Sequence, residues 1–307
     1  MTGGREIQIP APAPMPQLIS FAISPKTKTD EDKIHEALRK VLEEDTGLQL
    51  RREEETRETI LSGRGLVHIE TTADKIQRKF NVGMDISTPK VAYRETFKKK
   101  IRVQGKHKQQ SGGHGQYGDC WIVLEPLPKG SGFEFVDKVV GGVIPKNYIP
   151  AVEAGVRESS KKGILAGFPC VDFRVNVDFG SYHSVDSSEM AFKMAGSIAF
   201  KKAALEAKAV LLEPIMKVSV KVPEDATGDI MGDMNSRRGR VLGMDSEDAK
   251  QIINALVPMS EILRYAPDLS SMTGGRGTFT MEFEHYDEVP ADLSKKIIEK
   301  FTTDDEE

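Results

Sequence analysis

The sequence is short of cysteine and of long apolar runs. Its two cysteines, Cys120 and Cys170, do not form a CxxC pair, so we expect two ordinary thiols in a reducing compartment and no metal site. The apolar runs, such as 209–212, are far too short to cross a bilayer. The first residues also lack the charged segment followed by an apolar segment that is typical of a signal peptide. These absences predict a cytoplasmic protein with no membrane partner.

Net positive charge and a phosphate-binding loop are also missing. The formal net charge is -4 and the pI is about 6.0, whereas a protein that coats RNA is usually basic, so any RNA contact must be local. No GxxxxGK[ST] motif occurs, and the chain therefore lacks the backbone cradle and the lysine that hold nucleotide phosphates. We expect no GTP hydrolysis, no catalytic residue and no bound cofactor in this chain.

Hydrophobic periodicity predicts one architecture twice, in 16–90 and again in 213–289. In each region a strand precedes a helix whose apolar residues lie three and four apart, and two strands, a second helix and a last strand follow. This βαββαβ order is that of a ferredoxin-like sandwich. Pro267 should kink the second helix of the later copy, because it lacks an amide donor and clashes with the preceding turn.

The region between the copies, 91–212, predicts a different α+β domain. It opens with a long hairpin, 97–109 and 119–127, around a glycine-rich loop. A strand, a helix, a strand and a long helix follow at 132–139, 148–162, 171–179 and 187–208. The long helix has an alanine-rich packing face made of Ala191, Met194, Ala195, Ile198, Ala199, Ala203 and Leu205. We expect a linker or leftover at 1–15 and an acidic tail at 303–307.

The glycine-rich loop matches GxGxxG over 113–118. Dinucleotide binding is disfavoured, because that fingerprint needs a helix after the loop and here a strand follows. The glycines either turn a hairpin or allow a partner's backbone to come close. From Thr96 to Gly118 there is no acidic residue, so the hairpin is either a solubilising face or a ribbon for phosphate contact and base stacking. Its basic residues are Lys98, Lys99, Lys100, Arg102, Lys106 and Lys108.

A second loop, 181–188, contains serine, histidine and aspartate between a strand and the long helix. A hydrolase triad is disfavoured, because no GxSxG elbow is present and the aspartate and serines serve better as helix caps. If the middle region packs as one layer, this loop and 111–118 lie at the same end.

In the later copy, 231–240 combines an apolar face with three arginines, which either bind phosphates or decorate a helix end.

Four motifs resemble the elongation factor G family in its third, fourth and fifth domains, in the right order. They are 91–96 (VAYRET), 111–118 (SGGHGQYG), 180–189 (GSYHSVDSSE) and 272–279 (MTGGRGTF). The resemblance runs from about Pro16 to Phe301. It implies two ferredoxin-like sandwiches flanking a central ribosomal-protein-like α+β domain, with a C-terminal helix at 290–302 that joins the central domain.

The resemblance also implies a role in translation. The chain would be the part of a ribosomal translocase that binds both ribosomal subunits, ribosomal RNA, messenger RNA and transfer RNA as a monomer, and GTP and magnesium would bind a missing N-terminal domain. The residues implied at a decoding-site tip are Ser111, Gly112, Gly113, His114, Gly115, Gln116, Tyr117, Gly118, Ser181, Tyr182, His183, Ser184, Val185, Asp186 and Ser187. The residues implied at the large subunit are Gly228, Met231, Asn235, Ser236, Arg237, Arg238 and Arg240.

His114 stands where many relatives carry arginine, and a mostly uncharged imidazole is a weaker phosphate ligand at neutral pH. A ribosome-recycling relative shares the same fold, and so does a tetracycline-protection factor, although the latter should differ in the tip loops. A stand-alone ribosome-binding protein is a further alternative.

Overall fold

A computed structural model describes residues 19–54, 56–110, 115–247 and 250–304. The chain divides into two units, one formed by 1–91 and 216–283 and the other by 92–215 and 284–307. Helices and several mainly antiparallel sheets confirm the predicted α+β class. No helix in the described ranges is long and apolar enough to span a membrane.

The first βαββαβ set follows the predicted order. Its elements are β1 (Ile19–Pro25), α1 (Lys28–Glu44), β2 (Gln49–Glu53), β3 (Glu58–Gly63), α2 (Leu66–Phe80) and β4 (Met84–Ser87). The strand order β2-β3-β1-β4 puts the first strand in the interior of the sheet. In α1 the buried Ile34, Leu38 and Val41 recur at helical spacing, and this stripe packs on the sheet.

The central region forms its own sheet. Its elements are β5 (Arg94–Phe97), β6 (Ile101–Gln109), β7 (Gln116–Pro126), β8 (Phe133–Asp137), α3 (Ile149–Lys161), β9 (Phe173–Ser181) and α4 (Glu189–Glu206). The strand order is β6-β7-β9-β8. Strands β8 and β9 are parallel and joined through α3, which makes a βαβ unit.

Helix α4 lies unusually close to β6 and β7, because small residues face each other there. Ala191 and Ala195 are fully buried. A Cβ added to Gly105 would come within 2.1 Å of the Ala195 carbonyl oxygen, and one added to Gly118 within 2.3 Å of the Ala191 carbonyl oxygen. The predicted packing face was wrong at Met194 and Leu205, which are 41% and 74% exposed.

The second βαββαβ set repeats the first topology. Its elements are β10 (Ala209–Pro223), α5 (Thr227–Ser236), β11 (Arg240–Glu247), β12 (Lys250–Pro258), α6 (Met259–Ile262), α7 (Tyr265–Thr273) and β13 (Thr278–Glu288). The order β11-β12-β10-β13 matches that of the first sheet, and residues 209–212 of β10 also pair with β5. The predicted second helix is interrupted between α6 and α7. Pro267 explains the break, because in an unbroken helix its ring would clash with the carbonyl of Leu263 four residues earlier.

The last helix, α8 (Ala291–Asp304), belongs to the same unit as the central sheet. The Phe301 ring lies 4.9 Å from that of Phe168 and 6.4 Å from that of Tyr93. The expected acidic tail at 303–307 overlaps α8, which extends to Asp304. Strands β10 and β13 each contribute residues to both units, since the divisions after Ile215 and after Phe283 fall within these strands.

Candidate nucleic-acid interface

Two loops meet at one end of the central sheet. Strands β7 and β9 pair as far as Asp119 and Ser181, so the chain enters β7 and leaves β9 at the same edge. Beyond that edge the amide of Tyr117 donates to the Asp186 carbonyl at 2.8 Å, and the Ser187 hydroxyl donates to the Tyr117 carbonyl at 2.9 Å. The convergence expected of the two loops is therefore present in the described part of the tip.

Asp186 adds a side-chain link between the loops. Its Oδ1 accepts a hydrogen bond from the Gly115 amide at 3.1 Å. A Cβ on Gly115 would lie 3.0 Å from the Asp186 carboxyl carbon, so glycine allows the loops to come this close. Of the tip residues named from the sequence, Ser111, Gly112, Gly113 and His114 lie outside the described residues.

A polar chain centred on the buried Asp119 supports the base of the tip. The Tyr117 and Ser181 hydroxyl oxygens are 2.7 Å apart, and Ser181 donates to Asp119 Oδ2, also at 2.7 Å. Gln104 donates to Asp119 Oδ1 at 2.8 Å. Asp119 is buried, and these partners satisfy its carboxylate, so they hold Tyr117 and Ser181 in place. Sequence reasoning missed Asp119 and Gln104, although an aspartate within an apolar alternation was a usable signal.

His183 sits at the outer surface of the tip, with its side chain 54% exposed. Its Nδ1 lies 3.3 and 3.2 Å from the backbone amides of Val185 and Asp186 and 3.2 Å from Asp186 Oδ2, so Nδ1 is engaged within the loop. Nε2 is the ring nitrogen left for another molecule, and it donates whenever it carries a proton. Within the described residues no serine hydroxyl bonds to this ring, so the hydrolase triad is unsupported.

The rest of the tip mixes apolar and polar groups. Tyr182 and Val185 are 51% and 63% exposed. Gln116 is also exposed, and its Oε1 lies 3.0 Å from Nε2 of His107. Ser188 caps α4 by accepting from the Ala191 amide at 3.2 Å. The tip therefore offers amide, imidazole and aromatic groups on a backbone fixed by hydrogen bonds.

The basic hairpin is only partly available to a partner. Lys98, Lys100 and Arg102 form ion pairs with Glu288, Glu125 and Asp178 at 2.7, 2.9 and 2.8 Å. Hydrogen bonds from Asn176 and then from Lys100 outweigh the effect of burial and lower the pKa of Glu125 to about 2. Lys99, Lys106 and Lys108 are exposed. In the described ranges none of these three has an acidic partner.

A separate patch surrounds α5 in the other unit. Gly228, Asn235, Ser236 and Arg240 are exposed, and Met231 packs against the buried core of this sheet. These four members of the predicted large-subunit set are therefore accessible to a partner. A Cβ on Gly228 would meet no atom within 4 Å, which leaves the backbone of the first helical turn open.

The arginines beside this patch have unequal roles. Arg237 pairs with Asp233 and Asp268 at 2.8 and 2.6 Å. Burial lowers its pKa, but these two carboxylates outweigh burial and the net shift is upward. Arg238 pairs with Glu261 at 3.1 Å. Two of the three guanidinium groups are therefore engaged within the protein, and Arg240 is the most open of them.

Comparison with known proteins identifies the class of this chain. Models of three domains match it in succession: elongation factor G domain III over 12–88, domain IV over 89–208 and the elongation factor G C-terminus over 210–297. These are translation-factor domains. A solved crystal structure of a protein from Thermus thermophilus is 46% identical, with a TM-score of 0.83 over 96% of this chain and 46% of that one. The chain belongs to the elongation factor G family and spans about half the length of that solved protein.

Proposed function

We propose that this chain is the ribosome-binding part of a factor that promotes movement of transfer and messenger RNA, with its tip entering the region of the decoding site. The observation that carries the proposal is the hydrogen-bonded convergence of the two tip loops through Asp186 and Ser187. A single exposed loop would bend against RNA, whereas two loops tied to one sheet edge make a rigid point.

The proposed mechanism is steric and electrostatic. The tip would occupy space vacated by the RNA and oppose its return, while His183 Nε2 and the Gln116 amide donate hydrogen bonds to phosphates or base edges. Tyr182 offers an exposed ring for an unpaired base. The chain makes and breaks no bond in this step. In the full-length factor, GTP and magnesium would bind the N-terminal domain.

The α5 patch suits a second RNA contact, at the large subunit. Gly228 leaves helix backbone open, and Arg240 can bind a phosphate with its guanidinium fork. The two local surfaces explain how a chain with a net charge of -4 can bind RNA, since its charge need be favourable only where contact occurs.

The test is His183→Ala in the full-length factor, with His35→Ala on the exposed face of α1 as the matched control. Loss of one hydrogen bond to a charged group should slow messenger movement about tenfold to a hundredfold, while ribosome-stimulated GTP hydrolysis stays near normal. Rapid kinetics measure both rates. Equal loss of both rates, or of neither, contradicts the proposal, and selective loss of subunit splitting would favour a recycling factor.

A further inference from the structure

The central sheet has a second face that the tip does not use. Helix α4 packs on the face that contains Gly105 and Cys120. Because side chains alternate along a strand, the neighbouring residues Gln104 and Trp121 point the other way. Gln104 pairs with Trp121, and Trp121 pairs with Phe179. Residues of β6, β7 and β9 therefore share this opposite face, which we call the open face.

Aromatic rings are unusually accessible on the open face. Phe179 is 48% exposed, although it lies in the middle strand pair of a sheet. Trp121, the single tryptophan of the chain, is partly exposed, and the Arg102 guanidinium lies 4.5 Å from the centre of its ring. A bulge between Trp121 and Ile122 leaves Asp178 unpaired in the register. Its carboxylate binds Arg102, which holds that guanidinium over the indole.

Positive charge lies beside these rings. Lys106 and Lys108 point to the open face, because they pair with Asp119 and Tyr117 across β6 and β7. Lys106 Nζ is 5.5 Å from the centre of the Tyr117 ring. Neither lysine has an acidic partner in the described ranges, and Asp119 is already bonded to Ser181 and Gln104. The open face therefore joins exposed aromatic surface to a row of cations.

We infer that the open face is a platform for single-stranded RNA. A base would stack on Phe179 beside Trp121 and Arg102, and the phosphates would run along Lys106 and Lys108 toward the tip. Exposed aromatic rings in a positive groove bind unpaired bases with little sequence preference, because every base has a π-face. Paired bases in an A-form duplex cannot reach such a sheet. An acidic protein partner would use the lysines but would not need Phe179.

The single tryptophan makes the inference directly measurable. The inference rests on the proposed function only in taking RNA as the partner, and the assay needs no ribosome. The 307-residue chain is titrated with a short uridine oligomer while Trp121 emission is recorded. We expect saturable quenching by the single strand and much weaker quenching by the same oligomer annealed to its complement.

Variants locate the binding surface. Phe179→Ala should weaken binding roughly 5- to 100-fold, the range of one base–aromatic stack, and Lys106→Ala should lower the slope of log affinity against log salt by about 0.7. Matched controls are Phe283→Ala on β13 and Lys201→Ala on α4, which should change neither. Circular dichroism checks that each variant is folded.

Three results would overturn the inference. The first is absence of quenching at low salt. The second is equal affinity for the single strand and the duplex. The third is binding that survives Phe179→Ala but is abolished by His183→Ala, because RNA would then bind only at the tip. A negative result here leaves the kinetic test of the tip unaffected, so the two proposals fail separately.

Discussion

Glu95 should be among the most important single residues for the stability of the central unit. Its carboxylate is fully buried and faces a turn of backbone amides at distances from 2.7 to 3.3 Å. The donors are the amides of Ile164, Leu165, Ala166 and Phe168. One buried side chain thus organises a whole loop.

The magnitude follows from these bonds. A hydrogen bond to a charged group contributes about 1.5–3 kcal/mol, and bonds that share one acceptor are not additive. Glu95→Ala also leaves several amides without an acceptor, so we expect a loss of about 3–5 kcal/mol. Because domains are stable by only about 5–15 kcal/mol, such a loss is easily measured.

Urea titration followed by Trp121 emission provides the assay, since Trp121 belongs to the same unit as Glu95. The transition of Glu95→Ala should shift to clearly lower urea. Glu206→Ala, an exposed change at the end of α4, should stay within about 0.5 kcal/mol of the parent. Coincident transitions for Glu95→Ala and the parent would refute the reasoning, because the amide cluster would then not depend on the carboxylate.

Two further predictions concern packing. Burial, and then the charge of Asp119, raise the pKa of the Cys120 thiol to about 12, and burial also raises the pKa of the Cys170 thiol. Both thiols should therefore resist iodoacetamide at about pH 8 until urea unfolds the chain. Fast labelling of the folded protein would show that the core is open. Gly118→Ala should displace α4 and destabilise the unit, because the added Cβ would lie 2.3 Å from the Ala191 carbonyl oxygen. Gly130→Ala is the control for a glycine-to-alanine change, although the positive φ of Gly130, 82°, adds some backbone strain. If Gly118→Ala lowers the free energy of unfolding no more than this control does, the packing argument is contradicted.

Local sequence patterns predicted the repeated βαββαβ order well, because each element buries a stripe of its own residues. The apolar spacing of Ile34, Leu38 and Val41 is sufficient to define α1. Periodicity could not tell that Met194 and Leu205 stay exposed. Helix α4 approaches the sheet through alanines and glycines, and that close approach moves the buried stripe away from the larger side chains.

Non-local contacts were harder to predict. Nothing in the local sequence indicates that Glu95 binds amides about seventy positions later, or that Arg237 is engaged by Asp233 and Asp268. The convergence of the two tip loops was expected only on the condition that the middle region packs as one layer. The βαβ connection through α3 and the pairing of β7 with β9 meet that condition.

The most direct test of the account is to locate the tip on the ribosome. A cysteine at the exposed Val185, introduced into the full-length factor after other accessible thiols are removed, would carry a tethered iron chelate that cleaves nearby RNA by hydroxyl radicals. The account predicts cuts in small-subunit RNA around the decoding site and none there from a probe at Leu242 on β11, which is also exposed. Cuts from Val185 confined to the large subunit, or the same cuts from both positions, would contradict it.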